Sequence, residues 1–94
     1  MYARVVRFSL GPGKREIAQA VADDMPPKIA AMKGCRSVTV FGDDSDGEYG
    51  IFVLWESEAD ADAAAPVIGP QIHERIGGHV TADWEARLFE VLSE

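Results

Sequence analysis

The chain has 94 residues, 9 of them basic and 16 acidic, for a formal net charge of −7. That length builds one domain with one modest core, and the surplus of carboxylates, with Lys14-Arg15 the only adjacent basic pair, excludes a nucleic-acid partner, because such proteins gather Lys and Arg on one face. No apolar run approaches the ~20 residues of a membrane span, residues 1–7 lack the apolar stretch of a signal peptide, and the lone Cys35 excludes an intrachain disulfide or a cysteine-based metal cluster within one chain; residues 1–94 are expected to form a single cytoplasmic domain.

Tyr2 to Leu10 carries Val5, Val6, Phe8 and Leu10 and stops at Gly11-Pro12-Gly13, which reads as a first strand. From Lys14 to Met32, the apolar residues Ile17, Val21, Met25, Ile29 and Met32 recur at spacings of four and three, the stripe of a helix. Pro26-Pro27 in its middle predicts a kink or a break into two shorter helices near Asp24. Lys33-Gly34 closes it with a basic last turn and a glycine suited to a left-handed cap.

Arg36 to Gly42 reads as a second strand, and Asp43-Asp44-Ser45-Asp46-Gly47 as the tip of a hairpin. The tip is no calcium loop, since the twelfth position from Asp43 is Leu54, inside a strand. Gly47 to Ser57 follows, with Ile51 to Trp55 forming five consecutive large apolar residues that predict a strand covered on both faces. Ser57 is an N-cap before Glu58-Ala59-Asp60, and the second helix it starts is expected in two parts, interrupted by Pro66, Gly69 and Pro70 before Gln71 to Ile76. Gly77-Gly78 ends it, and Trp84 to Leu92 reads as the last strand, with Trp84, Ala86 and Leu88 on one side and Phe89 and Val91 on the other.

The order strand, helix, strand, strand, helix, strand, with right-handed crossovers, gives an α+β ferredoxin-like βαββαβ sandwich: a four-stranded antiparallel sheet with both helices on one face. Every strand nevertheless offers apolar side chains to both faces, and an uncovered face would exceed the ~300–600 Å² of the largest patch on an ordinary monomer. With each such side chain worth about 1.5–3 kcal/mol when buried, a homodimer packed sheet to sheet is expected.

This layout, with Lys33-Gly34-Cys35 between the first helix and second strand and Leu54-Trp55-Glu56-Ser57-Glu58-Ala59 at the junction into the second helix, resembles the antibiotic biosynthesis monooxygenase family of dimeric α/β barrels from Ala3 to about Val91. The resemblance implies a pocket between the helices and the sheet of each protomer. Members of that family oxidise phenolic or quinol substrates with molecular oxygen and neither metal nor flavin; others degrade haem. His73 resembles in position the haem ligand of the haem-degrading branch, but that branch also carries an upstream tryptophan on the same helix and an asparagine in the first strand, where this chain has Ala64 and Val6. Haem degradation is therefore disfavoured, and no cofactor or metal is expected.

The cofactor-free reaction needs an apolar cavity, a group that takes a phenol or quinol proton, and a cation or donor for the resulting anion. Arg4, on the same side of its strand as Val6 and Phe8, is the candidate for the charge and His73 the candidate base; Val6, Phe8, Tyr49, Trp55 and Trp84 are the candidate pocket residues. Each has a structural alternative. Arg4 can pair with an acid at the sheet end, His73 can be a solvent-facing or cap residue, and the tryptophans can be core or interface. Arg7 and Arg87 are expected to face carboxylates such as Glu85 or Glu90 across neighbouring strands or the dimer interface. Two functional readings result: a cofactor-independent monooxygenase acting on a small aromatic or quinol-type compound, or a non-catalytic dimeric module that binds a small ligand or serves as a stress-related accessory protein.

Overall fold

Alternation along residues 2–9 sets the two sides of the sheet. The computed structural model describes residues 1–93, in the order β1 (Tyr2–Ser9), α1 (Arg15–Ala30), β2 (Cys35–Asp43), β3 (Glu48–Trp55), α2 (Glu58–Ile76) and β4 (Glu85–Glu90). The sheet order is β2-β3-β1-β4 with every neighbouring pair antiparallel. This is the expected ferredoxin-like α+β arrangement. β1 is central, and its register sets Arg4 opposite Val53 and Leu88, and Val6 opposite Ile51 and Ala86. Since side chains at paired positions share a face, Arg4, Val6, Phe8, Tyr49, Ile51, Val53 and Trp55 all point toward the helices.

The core lies between that face and the two helices. Val21, Met25 and Ile29 of α1, Ile72 and Ile76 of α2, and Ile51 and Trp55 of β3 are at most 1 % exposed. Both helices run unbroken, so α2 is not in two parts as expected, and of the kink or break expected in α1 the break does not occur. The reason lies in where the prolines sit. Pro27, Pro66 and Pro70 are exposed and Pro26 is half-buried, so the carbonyls they leave unbonded one turn earlier lie away from the core and near water, while the buried stripe holds each helix together across the gap. Ser57 caps α2 as expected, its Oγ accepting from the Asp60 N–H at 3.1 Å.

Three further findings concern the strands. Ile51–Trp55 is covered on one face only within the chain: Ile51, Val53 and Trp55 are buried, whereas Phe52 is 37 % exposed and Leu54 half-buried on the far side. β4 is confined to Glu85–Glu90, shorter than residues 84–92. Arg7 stands opposite Glu85 of β4, as expected, and forms its ion pair with Glu48 on its other neighbour, β3, while the Arg87 guanidinium lies 4.8 Å from the centre of the Phe89 ring. On the open face Phe41, Phe52 and Phe89 are all more than a third exposed.

Candidate active site

The sequence of α2 determines where space remains. Along its sheet-facing side, Ala61, Ala64, Ala65 and Gly69 alternate with Ile68 and Ile72, and side chains this small leave the gap between helix and sheet unfilled. The result is a cavity of about 210 Å³ floored by Val6, Ile51, Val53 and Trp55 and closed at the α1 side by Ile29. Trp84 and Ala86 form the wall toward β4. Ala65 and Ala86 are exposed, so the mouth opens between α2 and that edge strand.

Arg4 is the one ionisable side chain in this lining. β1 holds it on the helix side, opposite Leu88, and its side chain is 21 % exposed. Its Nη2 stands 3.5 Å from Oδ1 of Asp62 on α2, and among the described residues the guanidinium makes no hydrogen bond. A fork of N–H donors, with only Nη2 engaged in the ion pair to Asp62, therefore stands beside a carbon-lined cavity, which is an arrangement suited to a planar ligand with an oxygen acceptor. The Trp55 indole is in the same wall, and its Nε1 is the one buried side-chain nitrogen or oxygen without a hydrogen-bond partner among the described residues. An orphaned donor of this kind costs about 1–3 kcal/mol, a cost that function commonly explains.

The candidate residues divide into three groups. Arg4, Val6, Trp55 and Trp84 come together around the cavity. Phe8 and Tyr49, although on the same sheet face, lie at the other end of the strands, where their rings stack with centroids 6.0 Å apart. There the Tyr49 hydroxyl donates to Asp44 Oδ1 at 2.6 Å, and Asp44 Oδ2 accepts from Arg15 Nη1 at 2.6 Å. The Tyr49 bond, with Arg15 second, holds the Asp44 carboxyl below its usual range, and the same bond raises the Tyr49 phenol. His73 is exposed and borders a separate depression with Gly77, Val80, Asp83 and Trp84. It reaches the cavity wall through one contact, with the Trp84 Nε1–H donating to His73 Nδ1 at 3.5 Å.

The residues that sequence reasoning did not single out are those of the α2 stripe and Asp62. The alanines had a signal, their recurrence at helical spacing, but small residues are equally consistent with close packing. Asp62 had none, being one of 16 acidic residues. No group of three or more His, Cys, Asp or Glu among the described residues could hold a metal, and no helix among them is long and apolar enough to cross a membrane.

A βαββαβ sheet with a carbon-lined, arginine-bearing cavity beneath its second helix defines the class: a ferredoxin-like α+β protein whose helix–sheet cavity is large enough for a small organic molecule. The chain belongs to the antibiotic biosynthesis monooxygenase family, whose sequence model matches residues 1–65, from β1 into the first half of α2. No curated protein sequence matches the chain. Among solved structures it is similar in fold to Rv0793 from Mycobacterium tuberculosis (TM-score 0.81, 23 % identity, covering 99 % of this chain and 96 % of that one). It is also similar to SnoaB, a cofactor-independent oxygenase from Streptomyces nogalater, in its N63A variant (0.77, 20 %, 99 % and 94 %). A third is the monooxygenase ActVA-Orf6 of Streptomyces coelicolor in complex with nanaomycin D (0.77, 16 %, 99 % and 88 %).

Proposed function

We propose that the chain is a cofactor-independent monooxygenase-like protein that takes a small aromatic, quinol-type compound into the cavity between α2 and the sheet. The observation that supports this is the lining, one guanidinium set in a wall of carbon. A phenol or quinol offers the wall a flat apolar ring and offers Arg4 one oxygen whose anion it stabilises, more strongly here than in water because the surroundings are apolar. The oxygenase descriptions of two fold relatives agree with the reading.

In this reading Arg4 favours the anion, formed by loss of a proton from the phenol or from its ring-CH₂ keto tautomer. The anion supplies the electrons for oxygen reduction. One oxygen atom enters the ring carbon as a carbonyl and the other leaves as water, so that CH₂ plus O₂ gives C=O plus H₂O. His73 lies outside the cavity lining, and its part is to hold the Trp84 indole at the cavity wall while the proton leaves to water at the mouth. Size narrows the substrate. An apolar engineered cavity of about 150 Å³ takes benzene, and the cavity of about 210 Å³ here favours one or two fused rings.

The second reading, a non-catalytic ligand-binding or accessory module, is favoured by one observation: no carboxylate, histidine or tyrosine lines the cavity. In either reading, a second copy covers the open sheet face, since three exposed phenylalanines on one face are costly in water.

Oxygen uptake with 1,4-dihydroxynaphthalene, simpler hydroquinones and anthrone separates the two. Uptake above the protein-free rate that falls at least tenfold in Arg4→Gln, with the particle mass unchanged, supports the enzyme. If no substrate in the panel is consumed faster than in buffer alone, the enzyme reading is lost and the binding module stands.

A further inference from the structure

The Arg4–Asp62 pair has the geometry of a contact made to be broken. At 3.5 Å it is an ion pair without a hydrogen bond, and it spans two elements, β1 and α2, that face each other across the cavity. The partners are also unequally placed: the Asp62 side chain is 65 % exposed against 21 % for Arg4. An exposed carboxylate regains full hydration on leaving, while the guanidinium stays behind at the cavity with its donors free. The pair itself is weak, as partly exposed pairs are.

Position along the helix explains the placing. Ala61 and Ala65 line the cavity, so Asp62, between them in sequence, sits at the rim of that stripe rather than within it. A ligand oxygen bound at Arg4 shares the guanidinium with the Asp62 carboxylate 3.5 Å away. An anionic oxygen competes with Asp62 for the guanidinium and is repelled by it; a neutral carbonyl is affected far less.

We propose that Asp62 is a charge latch on Arg4, a specificity-determining residue that raises the threshold for anionic ligands relative to neutral ones of the same shape. The latch rests on the cavity being the ligand site and is independent of whether oxygen chemistry follows. It is distinct from general-base action. Asp62 stands outside the cavity lining and touches the guanidinium rather than the space a ligand proton would occupy.

The test compares 2-naphthoate, fully anionic at pH 7.5, with 2-naphthamide, its neutral analogue, by calorimetric titration of the full chain. Asp62→Asn is expected to tighten naphthoate by about two- to fivefold, the range of a partly exposed ion pair, and to leave naphthamide within twofold. Glu74→Gln removes the same charge from an exposed position twelve residues along α2, roughly 18 Å away, and is expected to leave the naphthoate-to-naphthamide ratio unchanged. Arg4→Gln abolishes the effect of Asp62→Asn on that ratio. Equal ratios in wild type and Asp62→Asn, with both ligands bound, overturn the latch while the cavity site stands. A lower melting temperature in Asp62→Asn with an unchanged ratio overturns it in favour of a structural pair. Failure of wild type and all variants to bind either ligand overturns the cavity reading, and the latch with it.

Discussion

The indole N–H of Trp84 donates to Nδ1 of His73 at 3.5 Å, so a residue of the loop before β4 that walls the cavity is held by an exposed residue of α2. In the proposed function His73 is a positioning residue. Replacing it with Phe removes the acceptor, whereas Gln can restore one. In a ¹H–¹⁵N spectrum the chain has two indole signals, from Trp55 and Trp84. His73→Phe should move the Trp84 signal and leave Trp55 in place, and His73→Gln should return Trp84 part of the way. Coincident spectra for wild type and His73→Phe would contradict the contact.

The cavity exists because α2 presents small residues. Ala64→Leu adds three carbons to a buried position in the lining. Filling space that packing left empty should hold stability within about 1 kcal/mol of wild type while reducing 2-naphthoate affinity more than tenfold. Denaturant titration and calorimetry measure the two. A large loss of stability together with unimpaired binding would mean that the ligand lies elsewhere.

The Tyr49–Asp44–Arg15 cluster ties the β2–β3 hairpin to α1, and it makes stability depend on pH at both ends of the scale. Asp44 is depressed in the folded chain, so its contribution is present above the ordinary carboxylate value of about 4 and is lost as pH falls through the lower folded value. Tyr49 is raised, so its contribution is complete below the ordinary phenol value of about 10 and is lost as pH rises through the higher folded value. The difference in melting temperature between wild type and Tyr49→Phe should therefore be largest in the neutral range and shrink toward both extremes. A difference that stayed constant with pH would show that the bond carries no such linkage.

Gly47 and Gly13 both have positive φ, 75° and 82°, but only Gly47 is crowded: a β-carbon there would collide with the Gly11 backbone, and its carbonyl accepts from the Leu10 N–H at 2.8 Å. Gly13→Ala meets open space and should cost about 1–2 kcal/mol, the conformational term alone. Gly47→Ala must also displace backbone and should cost clearly more. Equal urea midpoints for the two would contradict the close approach at the hairpin.

How much of this could be read from the sequence depends on what kind of signal each feature leaves. Strand alternation and the Ser57 cap are local, and both carried through to the fold. The prolines broke neither helix, because their cost depends on which side of a helix they occupy, and tertiary packing settled that. Alternation also put Phe8 and Tyr49 on the cavity side of the sheet correctly, but it is silent about distance along the strand, and the stacked pair lies outside the cavity lining. His73, one step from Ile72, belongs to the exposed flank of a helix whose buried stripe contains its neighbour. The cavity left no sequence signal distinct from tight packing, because an alanine specifies a small side chain and not what lies opposite it.

The open sheet face predicts association. Phe52→Lys puts a charge at the centre of the exposed phenylalanines on β2, β3 and β4 and should convert a two-chain particle to a one-chain particle in sedimentation at micromolar concentration. A wild-type particle of one chain's mass would remove the partner copy from the account.

The claim on which the functional reading rests is that the space between α2 and the sheet receives the ligand at Arg4. Chemical-shift mapping with 2-naphthoate tests it directly. The account predicts saturable shifts at both indoles, at Arg4 and at the Ala64–Ile72 segment, with Phe8 and Tyr49 undisturbed; saturable shifts centred on Phe8 and Tyr49, or none that saturate, would contradict it.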